Sequence, residues 1–414
     1  MYYSLQAPEA ISKTIALPSS KSISNRALIM NQLSGNDILL ENLADCDDTQ
    51  VMIRALGSRS KVTDIGAAGT AMRFLTAYFA STDNSTLLTG TERMRHRPIG
   101  ILVDALLSLG ADISYAGEEG YPPLSIKGRR LKGGEMSIPG HISSQYISAL
   151  MMIAPYTVNG LRMHLTGDII SKSYINLTEQ LMRSFGADIE REDERTLTIR
   201  PSRYTGKSFT IENDWSAASY WYEILALLAD KESCIMLPNL CANSLQGDAE
   251  VRKLFEPLGV NTTFKEGGIL LTKGTERCRE YNQDLSSQPD LAQAIVVTCA
   301  MLRIPFTITG LQTLRIKETD RMKALRMELA KTGVHIEERN SNTLTWNGTT
   351  EHTDNILPID TYEDHRMAMA FAPCAICYPL LKINHPEVVS KSYPRFWEDL
   401  RQAGFKILQQ STLP

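Results

Sequence analysis

The sequence predicts an α/β protein built from six copies of one helix-and-strand unit, divided into two halves of three copies. Three markers recur along the 414 residues at intervals of roughly 70 residues. They are an apolar stretch of helical length, a strand-like segment that ends in Asn or Gly, and a Gly that follows a Leu-rich segment. Because the markers share one period, we interpret each unit as buried helix, strand, turn, second helix, Gly and strand, with the first unit shortened.

The first helix of each unit is apolar around nearly its whole circumference, which is typical of a helix buried inside a ring of sheet. The second helix is more amphipathic. The buried helices are predicted to begin near Ser22, Gly69, Ser143, Asp214, Asp290 and Asp364.

A glycine is predicted to end the second helix of every unit in the left-handed conformation, before the next strand begins. The six glycines are Gly57, Gly110, Gly186, Gly259, Gly333 and Gly404. The polar segment from Arg200 to Ser208 follows the third unit. We therefore predict a boundary between the two halves near Ile211 to Asp214.

Composition and charge exclude several classes of protein. The formal net charge is −4, so no global positive field draws the chain to nucleic acid or to anionic lipid. The longest uncharged stretch, Met367 to Leu381, is too short to span a bilayer. The N-terminus lacks the pattern of a secretory signal, and the seven scattered Cys fit a reducing compartment. We expect a cytoplasmic protein with neither nucleic acid nor membrane as partner.

Chemistry concentrates where the buried helices begin. A helix N-terminus carries unpaired N–H groups and partial positive charge, which favour anions. The first three starts offer Ser or Gly, whereas the last three offer Asp, which either caps its helix or acts as a base. Capping alone does not explain the cations beside the same starts, namely Lys21, Arg26, Arg73 and Arg366.

The loops before the second helices carry further cations, and the segment SKSY occurs in two of them, at Ser171 and at Ser390. If the fold brings these groups into one cleft, they form a strongly positive site. Such a site is suited to multiply anionic ligands. Gly206-Lys207-Ser208 imitates the end of a phosphate-binding loop, but Pro201 occupies the position of its first Gly. The seven His lack metal-ligand spacing, so no zinc site is expected.

Ten motifs, in order along nearly the full chain, resemble those of the 5-enolpyruvylshikimate-3-phosphate synthase family. They are LPSSKSISNRALIM, AAGTAMRF, RMRHRPIG, SSQYISAL, SKSYI, SLQGD, PDLAQA, RIKETDR, DHRMAMA and SKSYP. The resemblance implies a two-domain inside-out α/β barrel, in which each domain has three βαβαββ repeats with buried helices and an outer sheet. It also implies an N-terminal lobe of residues 19–212, a C-terminal lobe of residues 1–18 and 213–414, and an active site in the interdomain cleft.

The resemblance further implies an activity. Members transfer the enolpyruvyl (1-carboxyvinyl) group of phosphoenolpyruvate to the 5-hydroxyl of shikimate 3-phosphate and release phosphate, by addition and elimination through a tetrahedral intermediate. The reaction belongs to the shikimate pathway, which leads to chorismate and the aromatic amino acids. It requires no cofactor and no metal, and the family expectation is a monomer.

Two sets of binding residues follow from the resemblance. Shikimate 3-phosphate would be held by Lys21, Ser22, Arg26, Ser143, Ser144, Gln145, Ser171, Tyr174, Asp290 and Lys317. Phosphoenolpyruvate would be held by Lys21, Gly69, Arg97, Gln145, Arg321, Arg366 and Lys391. For catalysis, Asp290 is the candidate base on the 5-hydroxyl, Glu318 the candidate proton donor to the methylene, and Lys21 the group that stabilises the departing phosphate.

Two other functions remain as alternatives. The related transferase that acts on UDP-N-acetylglucosamine shares the fold, but it typically carries a Cys in the loop of the second unit, and Thr89 to Pro98 contains none. A non-catalytic binder of anionic metabolites would need the cations. It would have no reason to retain both Asp290 and Glu318.

Overall fold

The computed structural model describes residues 1–58, 60–353 and 357–410. The chain divides into two compact units, residues 19–211 and residues 1–18 with 212–414, which we call the N-terminal lobe and the C-terminal lobe. The boundary falls one residue before the predicted one, because the Glu212 carboxylate bonds the indole of Trp215 and the backbone of Cys241 within the C-terminal lobe. Residues 411–414 of the predicted C-terminal lobe lie outside the described residues.

The helices occupy the predicted positions in all six units. Their bounds are α1 Lys21–Ser34, α2 Asp47–Gly57, α3 Gly69–Ser81, α4 Glu92–Arg95, α5 Gly100–Ser108, α6 Ser144–Ile153, α7 Lys172–Ser184, α8 Trp215–Leu227, α9 Val251–Phe255, α10 Ala292–Met301, α11 Arg321–Ala330, α12 His365–Phe371 and α13 Phe396–Gln402. Within the described ranges, none of them is long and apolar enough to cross a membrane.

The strands are mostly short, as expected of a small repeated unit. Their bounds are β1 Tyr2–Gln6, β2 Ser12–Thr14, β3 Leu39–Glu41, β4 Val62–Asp64, β5 Ser85–Thr89, β6 Asp112–Tyr115, β7 Leu124–Lys127, β8 Gly134–Pro139, β9 Leu161–Thr166, β10 Ile189–Arg191, β11 Thr196–Ile199, β12 Ser208–Thr210, β13 Cys234–Pro238, β14 Val260–Lys265, β15 Gly268–Lys273, β16 Tyr281–Asp284, β17 Phe306–Thr309, β18 Glu337–Arg339, β19 Thr343–Trp346, β20 Leu381–Asn384 and β21 Lys406–Gln410.

Four sheets share one hydrogen-bonding pattern, two in each lobe. In the N-terminal lobe the strand orders are β4-β5-β7-β6 and β8-β9-β11-β10, and in the C-terminal lobe they are β2-β13-β15-β14 and β16-β17-β19-β18. In every one, the first pair is parallel and the next two pairs are antiparallel. The period read from the sequence therefore corresponds to a repeated topology, and the predicted α/β class is confirmed.

The strands next to the lobe boundaries pair with strands that are distant in the sequence. β2 precedes α1 along the chain but pairs in parallel with β13 in the C-terminal lobe. β12 precedes α8 but pairs in parallel with β3 in the N-terminal lobe. β1 lies antiparallel between β20 and β21, so the first and last strands of the described residues belong to one three-stranded sheet.

The first helix of each unit forms the core of its lobe. In the N-terminal lobe, residues 71–80 of α3 and residues 146–153 of α6 are all buried, whereas α1 is buried over residues 23–27, 29 and 30 and less buried from residue 31 to its end. In the C-terminal lobe, the buried runs are residues 217–227 of α8, 292–300 of α10 and 365–371 of α12. Side chains at the starts of these helices are thereby fixed by packing, which is what a preorganised site needs.

Three local predictions need correction. Gly57 is the last residue of α2 and, unlike the other five glycines, lacks a positive φ, because the chain leaves the helix directly into extended backbone at Ser58. The helix expected to run on from Asp364 ends at Phe371 and tightens into a 3₁₀ turn, since Pro373 has no N–H to donate. Asp290 lies in a 3₁₀ turn, Pro289–Leu291, before α10 begins.

Candidate active site

Lys21 opens helix α1, where the helix N-terminus and the ammonium group present positive charge together. The Ser20 hydroxyl caps the helix by accepting a hydrogen bond from the backbone N–H of Ile23 at 3.4 Å. Nζ of Lys21 lies 3.2 Å from Oδ2 of Asp48, a buried carboxylate on α2. This ion pair holds the lysine at the start of its helix, beside Ser22.

Arg26 lies one turn further along α1 and is buried. Its Nε donates to the Thr178 hydroxyl at 2.7 Å, its Nη2 to the Ser148 hydroxyl at 3.2 Å, and its Nη1 to the Ser22 carbonyl at 2.9 Å. Desolvation lowers the pKa of Arg26 to about 10, although the charge of Tyr174 acts in the opposite direction. The guanidinium therefore connects α1 with α6 and α7, and it remains protonated at neutral pH.

Two arginines surround the start of α3. A Cβ added at Gly69 would lie 2.6 Å from Nη1 of Arg97, so only glycine lets that guanidinium rest against the backbone. Arg73 is buried, and its Nη1 donates to the Gly69 carbonyl at 3.0 Å. Nε of Arg97 is buried without a hydrogen-bond acceptor among the described residues. The arrangement is suited to an anion bound at this helix start.

The start of α6 brings small polar groups to the same lobe. The Ser143 hydroxyl caps the helix by accepting from the backbone N–H of Gln145 at 3.4 Å, and Ser144 is buried behind it. The side-chain amide of Gln145 donates to the Thr70 hydroxyl at 3.1 Å. That bond connects the starts of α6 and α3 directly.

Ser171 and Tyr174 belong to the loop and first turn of α7. Ser171 is buried and has a left-handed backbone with φ of 55°, which a residue other than glycine rarely adopts. The backbone N–H of Tyr174 donates to the Ser171 carbonyl at 3.1 Å, and its carbonyl accepts from the Thr178 hydroxyl at 2.8 Å. Because Thr178 also bonds Arg26, this turn is coupled to α1.

In the C-terminal lobe, Asp290 is surrounded by cations. Its Oδ2 lies 3.0 Å from Nη2 of Arg366, and its Oδ1 lies 3.2 Å from Nη1 of Arg321 and 3.5 Å from Nζ of Lys317. Burial alone would raise the pKa of this carboxyl, but Arg366, Lys317 and Arg321 outweigh burial and Glu318, and hold it well below its usual range. Asp290 is therefore ionised at neutral pH.

Glu318 lies beside Asp290 and shares one of its cations. Its Oε2 lies 2.8 Å from Nη2 of Arg321, and its Oε1 lies 3.2 Å from Nζ of Lys391. Nε of Arg321 donates to Oδ2 of the buried Asp364 at 2.7 Å. Arg321 thus binds three carboxylates at once, and their charges raise its pKa despite burial.

The three aspartates at the starts of the buried C-terminal helices differ in use. Asp214 caps α8 by accepting from the backbone N–H of Ala217 at 3.0 Å, and Asp364 caps α12 by accepting from that of Arg366 at 2.9 Å. Asp290 lies in the 3₁₀ turn before α10, whose N-cap residue is Leu291, and its carboxylate pairs with two arginines and a lysine. The candidate base is thus the aspartate whose carboxylate is surrounded by cations.

Sequence reasoning missed several neighbours of the predicted residues. Asp48 forms an ion pair with Lys21. The Tyr220 hydroxyl lies 3.4 Å from Nη1 of Arg366. Asp248 is buried and accepts from the Ser216 hydroxyl. Burial, and then the charge of Asp290, raise the pKa of Asp248 to about 7 against the opposing effects of Ser216 and Arg366. Only the position of Asp248 in the polar loop from Asn243 could have drawn attention to it.

Each lobe therefore assembles its own share of the predicted residues. In the C-terminal lobe, six of them form one connected set of ion pairs: Asp290, Lys317, Glu318, Arg321, Arg366 and Lys391. In the N-terminal lobe, the predicted residues lie at the starts of α1, α3, α6 and α7, with Arg97 packed against Gly69. Within the described part of the chain, no group of three or more His, Cys, Asp or Glu is arranged to hold a metal ion.

Comparison with known proteins gives a consistent result. A family model described as EPSP synthase (3-phosphoshikimate 1-carboxyvinyltransferase) matches residues 5–59 and 56–400. A 3-phosphoshikimate 1-carboxyvinyltransferase from Bacteroides fragilis (strain YCH46) is 54% identical over 407 residues, which cover 98% of this chain and 99% of the relative. Another, from Aliivibrio salmonicida (strain LFI1238), is 35% identical over 428 residues, covering 96% of this chain and 98% of the relative.

A solved structure supports the fold independently. EPSP synthase from Acinetobacter baumannii superposes with a TM-score of 0.75 at 20% sequence identity, covering 99% of this chain and 100% of that chain. At this identity the likeness concerns the fold, which is the two-lobed inside-out α/β architecture.

Proposed function

The chain belongs to the EPSP synthase family, and from that premise we propose how its residues carry out the family's reaction. The protein is an enzyme that transfers the enolpyruvyl group of phosphoenolpyruvate to shikimate 3-phosphate, in the biosynthesis of aromatic amino acids. The transfer to UDP-N-acetylglucosamine is not favoured, because the family model and the named relatives all carry the shikimate activity.

We propose that both substrates bind between the lobes. The N-terminal lobe would supply Lys21, Arg97 and the polar starts of α1, α3, α6 and α7, and the C-terminal lobe would supply Lys317, Arg321, Arg366 and Lys391. The two substrates together carry two phosphates and two carboxylates, and charge-assisted pairs with arginine and lysine are the strong hydrogen bonds for such groups.

Asp290 is the proposed base and Glu318 the proposed acid. Asp290 takes the proton of the 5-hydroxyl while Glu318 protonates the methylene carbon of phosphoenolpyruvate, so that C2 becomes electrophilic and the oxygen adds to it. In the second step Glu318, now ionised, takes a proton back from the methyl carbon, and phosphate leaves next to Lys21 with the proton that Asp290 had taken. The reaction needs neither a covalent nucleophile nor a redox group.

The ion pairs of Asp290 bear on its strength as a base. With three cations beside it, its pKa lies well below the usual range, which makes the carboxylate a weak proton acceptor. The anionic groups of phosphoenolpyruvate would bind Arg321 and Arg366 and offset their charge. The pKa of Asp290 would then rise toward the range useful for catalysis when the substrate is in place.

One observation carries the proposal: Asp290 and Glu318 bind the same guanidinium, that of Arg321, at 3.2 and 2.8 Å. A base and an acid held this close can act on two atoms of one reacting pair. A protein that only bound anionic metabolites would gain nothing from two carboxylates that compete with its ligand for the cations.

We also propose that the protein acts as a monomer in the cytoplasm. The six units close two cores in a single chain, so no partner copy is required to complete a lobe. Sedimentation equilibrium checks this, with a monomer expected at the chain mass of 46.1 kDa.

Phosphate release from the purified protein tests the function. We expect release when both substrates are present and none when either one is omitted. Replacement of shikimate 3-phosphate by UDP-N-acetylglucosamine should abolish release. Release that persists without shikimate 3-phosphate would indicate a phosphatase and contradict the assignment.

A further inference from the structure

Tyr146 lies in the first turn of α6, directly after the predicted ligand Gln145. The residue is buried, and its hydroxyl donates a hydrogen bond to the backbone carbonyl of Pro98. Pro98 follows Arg97 in the chain and has no N–H of its own with which to fix the segment. The phenol therefore holds the backbone from which Arg97 extends.

Arg73 also contacts the same carbonyl. Its Nη2 lies 3.5 Å from the Pro98 oxygen, a long hydrogen bond, while its Nη1 bonds the Gly69 carbonyl at 3.0 Å. The guanidinium carbon of Arg73 also lies 5.9 Å from the ring centroid of Tyr146. The carbonyl thus depends mainly on the phenol hydroxyl.

The position of Arg97 is sensitive to this anchor. Its guanidinium packs so closely on Gly69 that an added Cβ would lie 2.6 Å from Nη1, and its Nε has no acceptor among the described residues. Within the described part of the protein, this Nε makes no hydrogen bond that would fix the guanidinium. The position of the guanidinium therefore depends on the backbone at residues 97 and 98. A shift there would move the charge relative to the start of α3.

We propose that Tyr146 is a positioning residue for substrate binding: its hydroxyl holds the Pro98 carbonyl and so directs Arg97 at the anion bound beside Gly69. The inference rests on the proposed function, in which Arg97 binds phosphoenolpyruvate. It predicts that the hydroxyl matters for one substrate and not for the other, because the residues proposed for shikimate 3-phosphate do not depend on Pro98.

Tyr146→Phe removes the hydroxyl and keeps the ring. Tyr204→Phe is the matched control, because Tyr204 is buried in the same lobe and its hydroxyl also donates to a backbone carbonyl, that of Met152, at 2.7 Å. Both variants lose one phenol-to-carbonyl hydrogen bond. We expect the KM for phosphoenolpyruvate to rise about three- to tenfold in Tyr146→Phe only, with kcat and the KM for shikimate 3-phosphate little changed.

The measurement is steady-state phosphate release for wild type and both variants, with thermal unfolding recorded in parallel. A similar loss of stability in both variants, with the selective KM change confined to Tyr146→Phe, supports positioning. Equal KM values in the two variants, or an equal rise for both substrates, would overturn it while leaving the proposed function intact. A wild-type protein that releases no phosphate would overturn the proposed function and this inference together.

Discussion

Asp290 and Asp248 show how the surroundings of a carboxyl group, more than its identity, decide its protonation. Asp290 is ionised because Arg366, Lys317 and Arg321 face it. Asp248 is buried and lies near the negative charge of Asp290, and these effects outweigh the hydrogen bond that its Oδ2 accepts from the Ser216 hydroxyl, so its pKa is raised to about 7. The pKa values of two aspartates in one lobe are thus shifted in opposite directions, which gives two predictions.

Asp290→Asn should lower kcat by about 10²- to 10⁴-fold, the usual contribution of a positioned base. Substrate binding should be retained, since the cations remain and lose a competitor. The matched control is Asp214→Asn, in which an aspartate at an equivalent helix start becomes another good N-cap, so turnover should not change. Steady-state phosphate release measures both variants, and unchanged turnover in Asp290→Asn would remove this residue from the mechanism.

Asp248→Asn should stabilise the protein more at pH 8 than at pH 5. The folded pKa of about 7 lies above the ordinary aspartate value, so the native state keeps a proton that the unfolded state loses. The wild type therefore loses stability as the pH rises from about 4 through 7, and the amide removes that loss. Thermal unfolding at the two pH values checks this, and an equal shift at both would contradict the raised pKa.

At the scale of the elements, the way each buried helix begins decides its contribution to the site. Helices α1, α3 and α6 begin with Lys, Gly and Ser and lie in the N-terminal lobe, where two arginines pack against the start of α3. Helix α8 begins differently. Glu212, just before it, accepts hydrogen bonds from the Trp215 indole, the Cys241 backbone and the side chains of Ser244 and Gln246. This carboxylate connects the first turn of α8 to the polar loop that carries Asp248.

Glu212→Ala should lower the free energy of unfolding by about 3 kcal/mol, because several partly buried donors lose their acceptor. Glu266→Ala provides the control, since Glu266 is exposed in the turn between β14 and β15 and should be nearly neutral. Urea denaturation monitored by tryptophan fluorescence gives both values. Equal free energies for the two variants would show that the Glu212 network adds no stability.

At the scale of the whole molecule, the net charge and the local charge have opposite signs. The chain carries a formal charge of −4, yet its proposed ligand groups are mostly cationic, and they are divided between the two lobes. Carboxylates already pair with the cations of the C-terminal lobe, whereas Nε of Arg97 in the N-terminal lobe is a buried donor with no acceptor in the described part of the chain. Binding of both anionic substrates should therefore draw on both lobes.

We expect the radius of gyration to decrease when shikimate 3-phosphate and an unreactive phosphoenolpyruvate analogue are added together, because anions that pair with cations of both lobes favour a closed arrangement. Small-angle X-ray scattering measures the change, with sodium sulfate at equal ionic strength as the control. Calorimetry confirms that both ligands are bound. An unchanged radius with both ligands bound would contradict closure around the substrates.

The repeat is what the sequence determined by itself. Apolar helices at intervals of roughly 70 residues predict the buried helices of both lobes, because the pattern of apolar residues is a local property that burial enforces. The same pattern located the helix starts, where Lys21, Gly69, Ser143 and Asp364 were found within a residue or two. The family motifs then supplied candidate roles, which remain proposals.

Only the tertiary structure decided which charges meet. Nothing in the sequence pairs Lys21 with Asp48, binds Arg26 to Thr178 and Ser148, or places Asp290 and Glu318 on one guanidinium. Apart from Glu318 and Arg321, these partners lie on different helices or turns that are distant in the sequence, and their distances depend on how those elements pack. Local patterns fix where a helix begins, whereas ion pairs depend on distance and burial, which exist only once the chain has folded.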